Sequence, residues 1–269
     1  MQKELVDSLR SVWLIVFTAV YALLVLGIPF ILLLAFHLFG QEDLPARLTL
    51  VSVETVPIIP LLPLLLGALS IVGEREKGTM EHLLSQPVSK VEVFLGKFTG
   101  LFLANSFVVV AGVGIAGMFG YVFAPSGFNG TQYATTILLL VSLSVISLGL
   151  GILVSSFSRS RAVAVGLTLF VWFLLSILFE LGLLEFILIT ISGESLLLVV
   201  LSLLNPIDVT RILAVMNTEP VTNRLGPSGA EMLRFFGFNG AALILIVTSI
   251  IWILAPVLIS LWIFIHQDA

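Results

Sequence analysis

Among its 269 residues the chain has no cysteine. That excludes a disulfide, a thiolate metal site and a cysteine nucleophile, and it leaves the redox compartment unmarked. Charge is scarce too: 10% of residues are charged, where a soluble domain carries about 25%. The net charge of −4 offers no basic surface for a nucleic acid, so no nucleic-acid partner is expected. His37, His82 and His266, and Met118, Met216 and Met232, are scattered. Nothing has metal-ligand spacing, and no metal site is expected. The phosphate-binding loop G-x-x-x-x-G-K-[ST] is missing, because Gly96-Lys97 is followed by Phe98. The chain is therefore not expected to hydrolyse ATP or to be an enzyme by itself. GVGIAG at 112–117 matches a dinucleotide fingerprint in letters only. It lies inside an apolar run rather than a strand-turn-helix unit.

What is abundant is apolar: 59% of residues are hydrophobic and the mean hydropathy is +1.19. This composition predicts an all-α integral membrane protein forming a single transmembrane domain over 1–269. Six spans are expected, at about 13–36, 56–72, 98–124, 134–157, 162–183 and 241–265. The first is too long for the core of a cleavable leader and reads as a span that stays. Pro57, Pro60 and Pro63 at the start of the second predict a kinked helix start. Eight of the twelve basic residues (Lys3, Arg10, Arg75, Lys77, Lys90, Lys97, Arg159 and Arg161) fall on one side of this topology. By the positive-inside rule that side is cytoplasmic, with both termini inside, in a prokaryotic inner membrane.

Region 184–240 is read as an outer segment. Its run FILITISGESLLLVVLSLL is apolar but broken at Ser192–Ser195. It is either a seventh span around 186–204 or an interfacial or re-entrant hairpin, and a central Glu194 disfavours the span by roughly 2–3 kcal/mol. In LLNPIDVTRILAV, Asn205 can cap a helix, Pro206 suits its first position, and Asp208 can pair with Arg211 one turn on. Ser228-x-x-Glu231 reads as a capping box before the last span, and Phe235, Phe236 and Phe238 as an interfacial aromatic belt. Glu180 is the one deep ionisable residue. Polar side chains inside spans are few: Asn105, Ser106, Ser142, Ser144 and Ser147. Serines there commonly bond to the preceding turn. Gly112, Ala116 and Gly120, like Gly96 and Gly100, recur at a spacing suited to close helix packing.

Against this background 73–97 is an island. It holds eight of the 28 charged residues. At mid-membrane these would cost on the order of 20 kcal/mol, so the segment lies outside the hydrocarbon. Met80, Leu83 and Leu84 share one helical face, and Pro87 stops that helix at Gln86. Ser89-x-x-Glu92 forms a capping box, and Val91, Phe94, Leu95 and Phe98 continue an apolar face into span three. The pattern predicts two short amphipathic helices hinged at Gln86-Pro87, lying on lipid or docking a cytoplasmic partner.

The segment GEREKGTMEHLLSQPVSKVEVFLGKFTG resembles the signature of ABC-2-type transporter permeases, and the layout of the chain agrees: an amphipathic start (Gln2–Val12), six spans and the island between spans two and three. The resemblance implies that this island is the cytoplasmic coupling helix that contacts a separate ABC ATPase subunit, on which ATP and Mg are bound. Residue by residue it implies that role for Glu74, Arg75 and Glu76, for Gly78 and Thr79, for Leu83, Leu84 and Pro87, and for Gly96 and Lys97. The stretch L-N-P-x-D-x-x-R and the opening KELVDSLRSVWL further resemble the NosY-type permeases of nitrous oxide reductase maturation. That narrower resemblance implies a homodimer, a NosF-like ATPase and a periplasmic NosD-like protein docking at Asn205, Pro206, Asp208 and Arg211. It also implies export of a sulfur-containing species for copper–sulfur cluster assembly. The alternatives are an ABC-2 permease for another cargo (lipid, peptide or drug) and a non-transporting membrane assembly factor.

Overall fold

A computed structural model describes residue 27 and residues 56–78, 89–123, 129–178, 195–217 and 225–267. The amphipathic start, the first span apart from Gly27, the stretch from Thr79 to Pro87 with its hinge, Glu180 and residues 184–194 lie outside the described residues. The described residues form helices: α1 Leu61–Glu76, α2 Lys90–Phe123, α3 Gly130–Phe157, α4 Arg161–Phe173, α5 Ser195–Leu203, α6 Pro206–Met216 and α7 Gly226–His266. A π-helical turn, Leu174–Leu178, extends α4. Among them α2 (over Lys90–Ile115), α3 and α7 are each long and apolar enough to cross a membrane, and α5 with α6 would make a fourth, bent span. α1 and the apolar stretch Arg161–Ser176 are shorter.

The second expected span starts later than composition suggests. Residues 56–60 are turns and the helix proper begins at Leu61. Proline spacing is the reason: Leu61 N–H bonds back to Ile58 O at 3.2 Å, a tightened three-residue step. This leaves the Pro57 carbonyl without the amide an α-helix would supply. Trp172 Nε1 (2.9 Å) and Ser176 Oγ (3.1 Å) donate to it instead. At its other end α1 runs on to Glu76 and stops at Gly78, whose φ of 68° suits only glycine well and whose N–H bonds Arg75 O at 3.1 Å.

α3 is the axis of the fold. α1 crosses it so closely that a Cβ on Gly67 would stand 2.5 Å from Leu148 O, and one on Gly151 2.3 Å from Leu64 O. Buried Ser155 then accepts from the amides of Ile71 (3.1 Å) and Val72 (2.9 Å), fastening the end of α1 to α3. Of the residues expected to pack closely, Gly96 has open space and Gly112 is buried, and nearby Gly117 lies against the Tyr133 ring. The periodicity marks small residues but not which of them meets a neighbouring backbone.

α5 and α6 are bent by 106° at Leu204-Asn205, whereas the choice between a seventh span and a hairpin turns on residues before Ser195, which lie outside the described residues. α7 starts at Gly226 and breaks at Gly237 (φ 66°, ψ 177°), with the exposed Phe235, Phe236 and Phe238 flanking the break. The expected Ser228–Glu231 capping box is not formed. Ser228 already lies in the helix with its hydroxyl buried and unpartnered, and Glu231 faces Arg234 at 3.4 Å. The helix begins at Gly226, one step past a leucine cap, so the serine is too far inside to cap it.

Candidate functional site

The charged island closes one end of the bundle. Glu74, at the end of α1, pairs with Lys97 of α2, and Lys97 Nζ also reaches Ser70 O at 3.4 Å. Glu76 pairs with Arg161 Nε of α4 at 3.2 Å and accepts from the Arg161 amide at 3.3 Å. Arg161 Nη2 donates to Gly73 O at 2.6 Å. The two acidic residues of the G-E-R-E cluster therefore join α1 to α2 and to α4.

The basic residues that flank the Thr79–Val88 stretch turn elsewhere. Arg75 Nη2 donates to Gln267 Oε1 at 2.5 Å, and Lys90 Nζ donates to Gln267 O at 2.8 Å and Ile265 O at 3.2 Å. Gln267 Nε2 donates to Ser156 O, the end of α3, at 3.0 Å. Below this polar layer the buried rings of Phe94 and Phe264 meet with centroids 5.8 Å apart.

The capping box at the start of α2 is formed as its spacing predicts. Ser89 N–H donates to Glu92 Oε2 at 2.8 Å, and Glu92 N–H to Ser89 Oγ at 3.2 Å. The Ser89 amide first, and its hydroxyl second, hold the Glu92 carboxyl below its ordinary value. The helix entered here does not end at the interface. α2 is continuous from Lys90 to Phe123, so the second amphipathic helix and span three are one rigid rod about 50 Å long.

Of the ten residues assigned to coupling, the structure brings Glu74, Arg75, Glu76, Gly78 and Lys97 to this end, with Gly96 one residue from Lys97 on α2. Thr79, Leu83, Leu84 and Pro87 lie outside the described residues. Arg161, Gln267, Ser156 and Phe264 are partners that local spacing does not reveal, because they lie 85 to 192 residues away from the groups they hold. The only sequence signal for Arg161 was its place on the basic side.

The Asn205–Arg211 segment has a different setting. Asn205 accepts from the Ile207 amide at 3.0 Å, Pro206 occupies the first turn, and Asp208 pairs with Arg211 at 3.2 Å, each as expected. Yet Asn205 is 0% and Asp208 3% exposed, and Pro206 is buried. Asn205 Nδ2 donates to Leu175 O in the π turn at 3.0 Å, and Trp252 Nε1 donates to Leu203 O at 3.0 Å. Counting along α4 and α7, this elbow lies about 21 Å from the charged end. All three are buried in this structure: the Asn205 side chain serves the Ile207 amide and the Leu175 carbonyl, and Asp208 accepts from Asn205 Nδ2 at 3.3 Å as well as pairing with Arg211. Arg211 alone of the four keeps partial exposure, 27% of its side chain.

Inside the bundle, Ser142, Ser144 and Ser147 bond to the preceding turn at 2.7, 2.8 and 2.7 Å. Asn105 is 2% exposed, and neither amide atom has a hydrogen-bond partner.

Comparison with known proteins agrees with this architecture. The family profile of ABC-2 family transporter proteins matches residues 1–269. A protein of Stutzerimonas stutzeri named "Probable ABC transporter permease protein NosY" is 30% identical over 231 residues, covering 84% of this chain and 83% of the relative. A protein of the same name in Pseudomonas aeruginosa is 32% identical over 220 residues, covering 79% and 78%. With membrane-length apolar helices, a charged end that ties them together and a family match along the whole sequence, this chain belongs to the ABC-2 family as a transporter permease subunit.

Proposed function

We propose that the chain is a NosY-like permease, working as a homodimer with a separate NosF-like ATPase that binds ATP and Mg. Its cargo is a sulfur-containing species used in copper–sulfur cluster maturation of nitrous oxide reductase. The coupling part rests on one observation: both flanks of the Thr79–Val88 stretch are fastened to other helices at one end of the bundle. A push on that stretch is therefore a push on α1, α2 and α4 together. α1 is locked to α3 by Ser155 and the glycine crossing, and α2 is one rod, so force passes as rigid-body tilt rather than as local bending. The cargo part is supported by likeness to the two NosY relatives alone. A NosD-like periplasmic partner docks at the Asn205, Pro206, Asp208 and Arg211 segment, with Arg211 offering its exposed surface.

The coupling reading is tested by co-purification. Affinity-tagged chain should retain the ATPase encoded with it, and Glu74→Lys combined with Glu76→Lys should release it while the chain still inserts and folds. Retention of the ATPase by the double variant contradicts the assignment. For the cargo, a host lacking its own permease should recover nitrous oxide reductase with full copper and sulfide content when given this chain with its ATPase. A correctly coupled complex that leaves the reductase without its cluster points to a different cargo.

A further inference from the structure

We infer that Gln267 makes the last helix, α7, a third output arm of the coupling site, driven directly from the flanks of the Thr79–Val88 stretch. This rests on the coupling reading above and extends it beyond the helices adjoining that stretch in sequence. Arg75 ends the helix that precedes the stretch, and Lys90 begins the helix that follows it. The other described cations that reach across helices here, Lys97 and Arg161, pair with carboxylates. Arg75 and Lys90 instead converge on neutral acceptors at the end of α7: the Gln267 side chain and the carbonyls of Ile265 and Gln267. Those carbonyls are at the negative end of the α7 helix and lack helical amide partners, so a lysine and an arginine are the groups that hold them best.

Two further contacts make the connection mechanical as well as electrostatic. Phe94, one turn into α2, packs on Phe264 in the last turn of α7. Gln267 Nε2 ties the same point to Ser156 at the end of α3. Gln267 is thus a positioning residue with three neighbours: the flank of the moving stretch before it (Arg75), the flank after it (Lys90) and the fixed axis (Ser156). If Arg75 and Lys90 shift, the end of α7 must follow or these bonds must break. Movement of α7 then reaches the Asn205 elbow, because Trp252 on α7 holds Leu203 O.

The experiment uses the full chain with its ATPase in nanodiscs. With no native cysteine, spin labels go only where placed: one at Leu138→Cys, exposed on α3, and the second at either Thr99→Cys on α2 or His266→Cys on α7, both exposed. Nucleotide trapping should change both distances. In Gln267→Ala the change at 266 should shrink, because only the Lys90 bonds to main-chain carbonyls and the Phe94–Phe264 contact remain, while that at 99 persists. Permease-stimulated ATP turnover should fall about tenfold, the loss of one charge-assisted hydrogen bond. Gln267→Glu keeps the acceptor for Arg75 but loses the donor to Ser156, and should recover movement and turnover in part. Unchanged movement at 266 in Gln267→Ala overturns the inference. So does loss of ATPase binding in Gln267→Ala and Gln267→Glu alike, which would make the contact purely structural. Failure of the unaltered chain to bind the ATPase at all removes the coupling reading beneath it and is seen separately, before any variant is made.

Discussion

The charged end and the Asn205 elbow are made of the same parts and behave as opposites. Each has a capped helix start, Ser89 with Glu92 in one and Asn205 with Pro206 in the other. Each has a carboxylate paired to an arginine, Glu76 with Arg161 and Asp208 with Arg211. At the charged end the pair is 46% and 41% exposed; at the elbow the Asp208 side chain is 4% exposed. Water shares the work of solvating the first pair, so its members can separate and re-form as a segment moves. In the second pair only Arg211 keeps some exposure, and buried Asp208 relies on protein partners, Arg211 and Asn205 Nδ2 among them. One region suits a joint that moves, the other a joint that must stay assembled.

The largest test of this contrast is removal of one carboxylate from each pair. Asp208→Ala should lower unfolding stability by about 4 kcal/mol, since it strands a partly buried guanidinium. Glu76→Ala should cost under about 1 kcal/mol. Thermal unfolding in detergent reads both, and equal losses would dissolve the distinction.

Glycine substitutions probe the axis between the two regions. Gly151→Ala drives a methyl into Leu64 O and should cost about 2–3 kcal/mol. Gly96→Ala, with open space around it inside a helix, should instead stabilise by about 1 kcal/mol. The two shifts in melting temperature should have opposite signs.

The helix caps give a smaller difference. Asn205→Ala removes both a cap and the donor to buried Leu175 O, about 2 kcal/mol. Ser89→Ala, at an exposed cap, should cost about 1 kcal/mol or less.

The smallest effect is a pH dependence confined to the charged end. The Glu92 carboxyl is held below its ordinary value by Ser89. Its contribution is therefore present above the ordinary glutamate range and is lost as pH falls through the lowered value. Amide exchange at the start of α2 should quicken on acidification in the unaltered chain; Ser89→Ala, which leaves the Ser89 amide in place, should weaken that dependence, and Glu92→Gln should abolish it.

Much of both regions was legible in residues three or four apart. Ser89 with Glu92, Asn205 with the start of α6, and Asp208 with Arg211 are all local. A helix brings such neighbours together wherever it sits. The same logic failed at Ser228, because a capping box also depends on where the helix starts, and an incoming turn at Leu225-Gly226 moved that start. The proline-rich opening of α1 was legible as a kink, but not the remedy for the freed Pro57 carbonyl, which comes from Trp172 and Ser176.

By itself the sequence determined that this chain enters a membrane, where its charge must stay outside, and how the starts of α2 and α6 are capped. Those follow from transfer free energies and from geometry within one helical turn. Only the tertiary structure decided that the Asn205–Asp208 elbow is buried, that Gly67 and Gly151 are the close crossing, and that Arg75 and Lys90 hold the end of the last helix. Each depends on which distant segments pack together, and a periodic apolar pattern, satisfied equally by lipid and by another helix, does not say which.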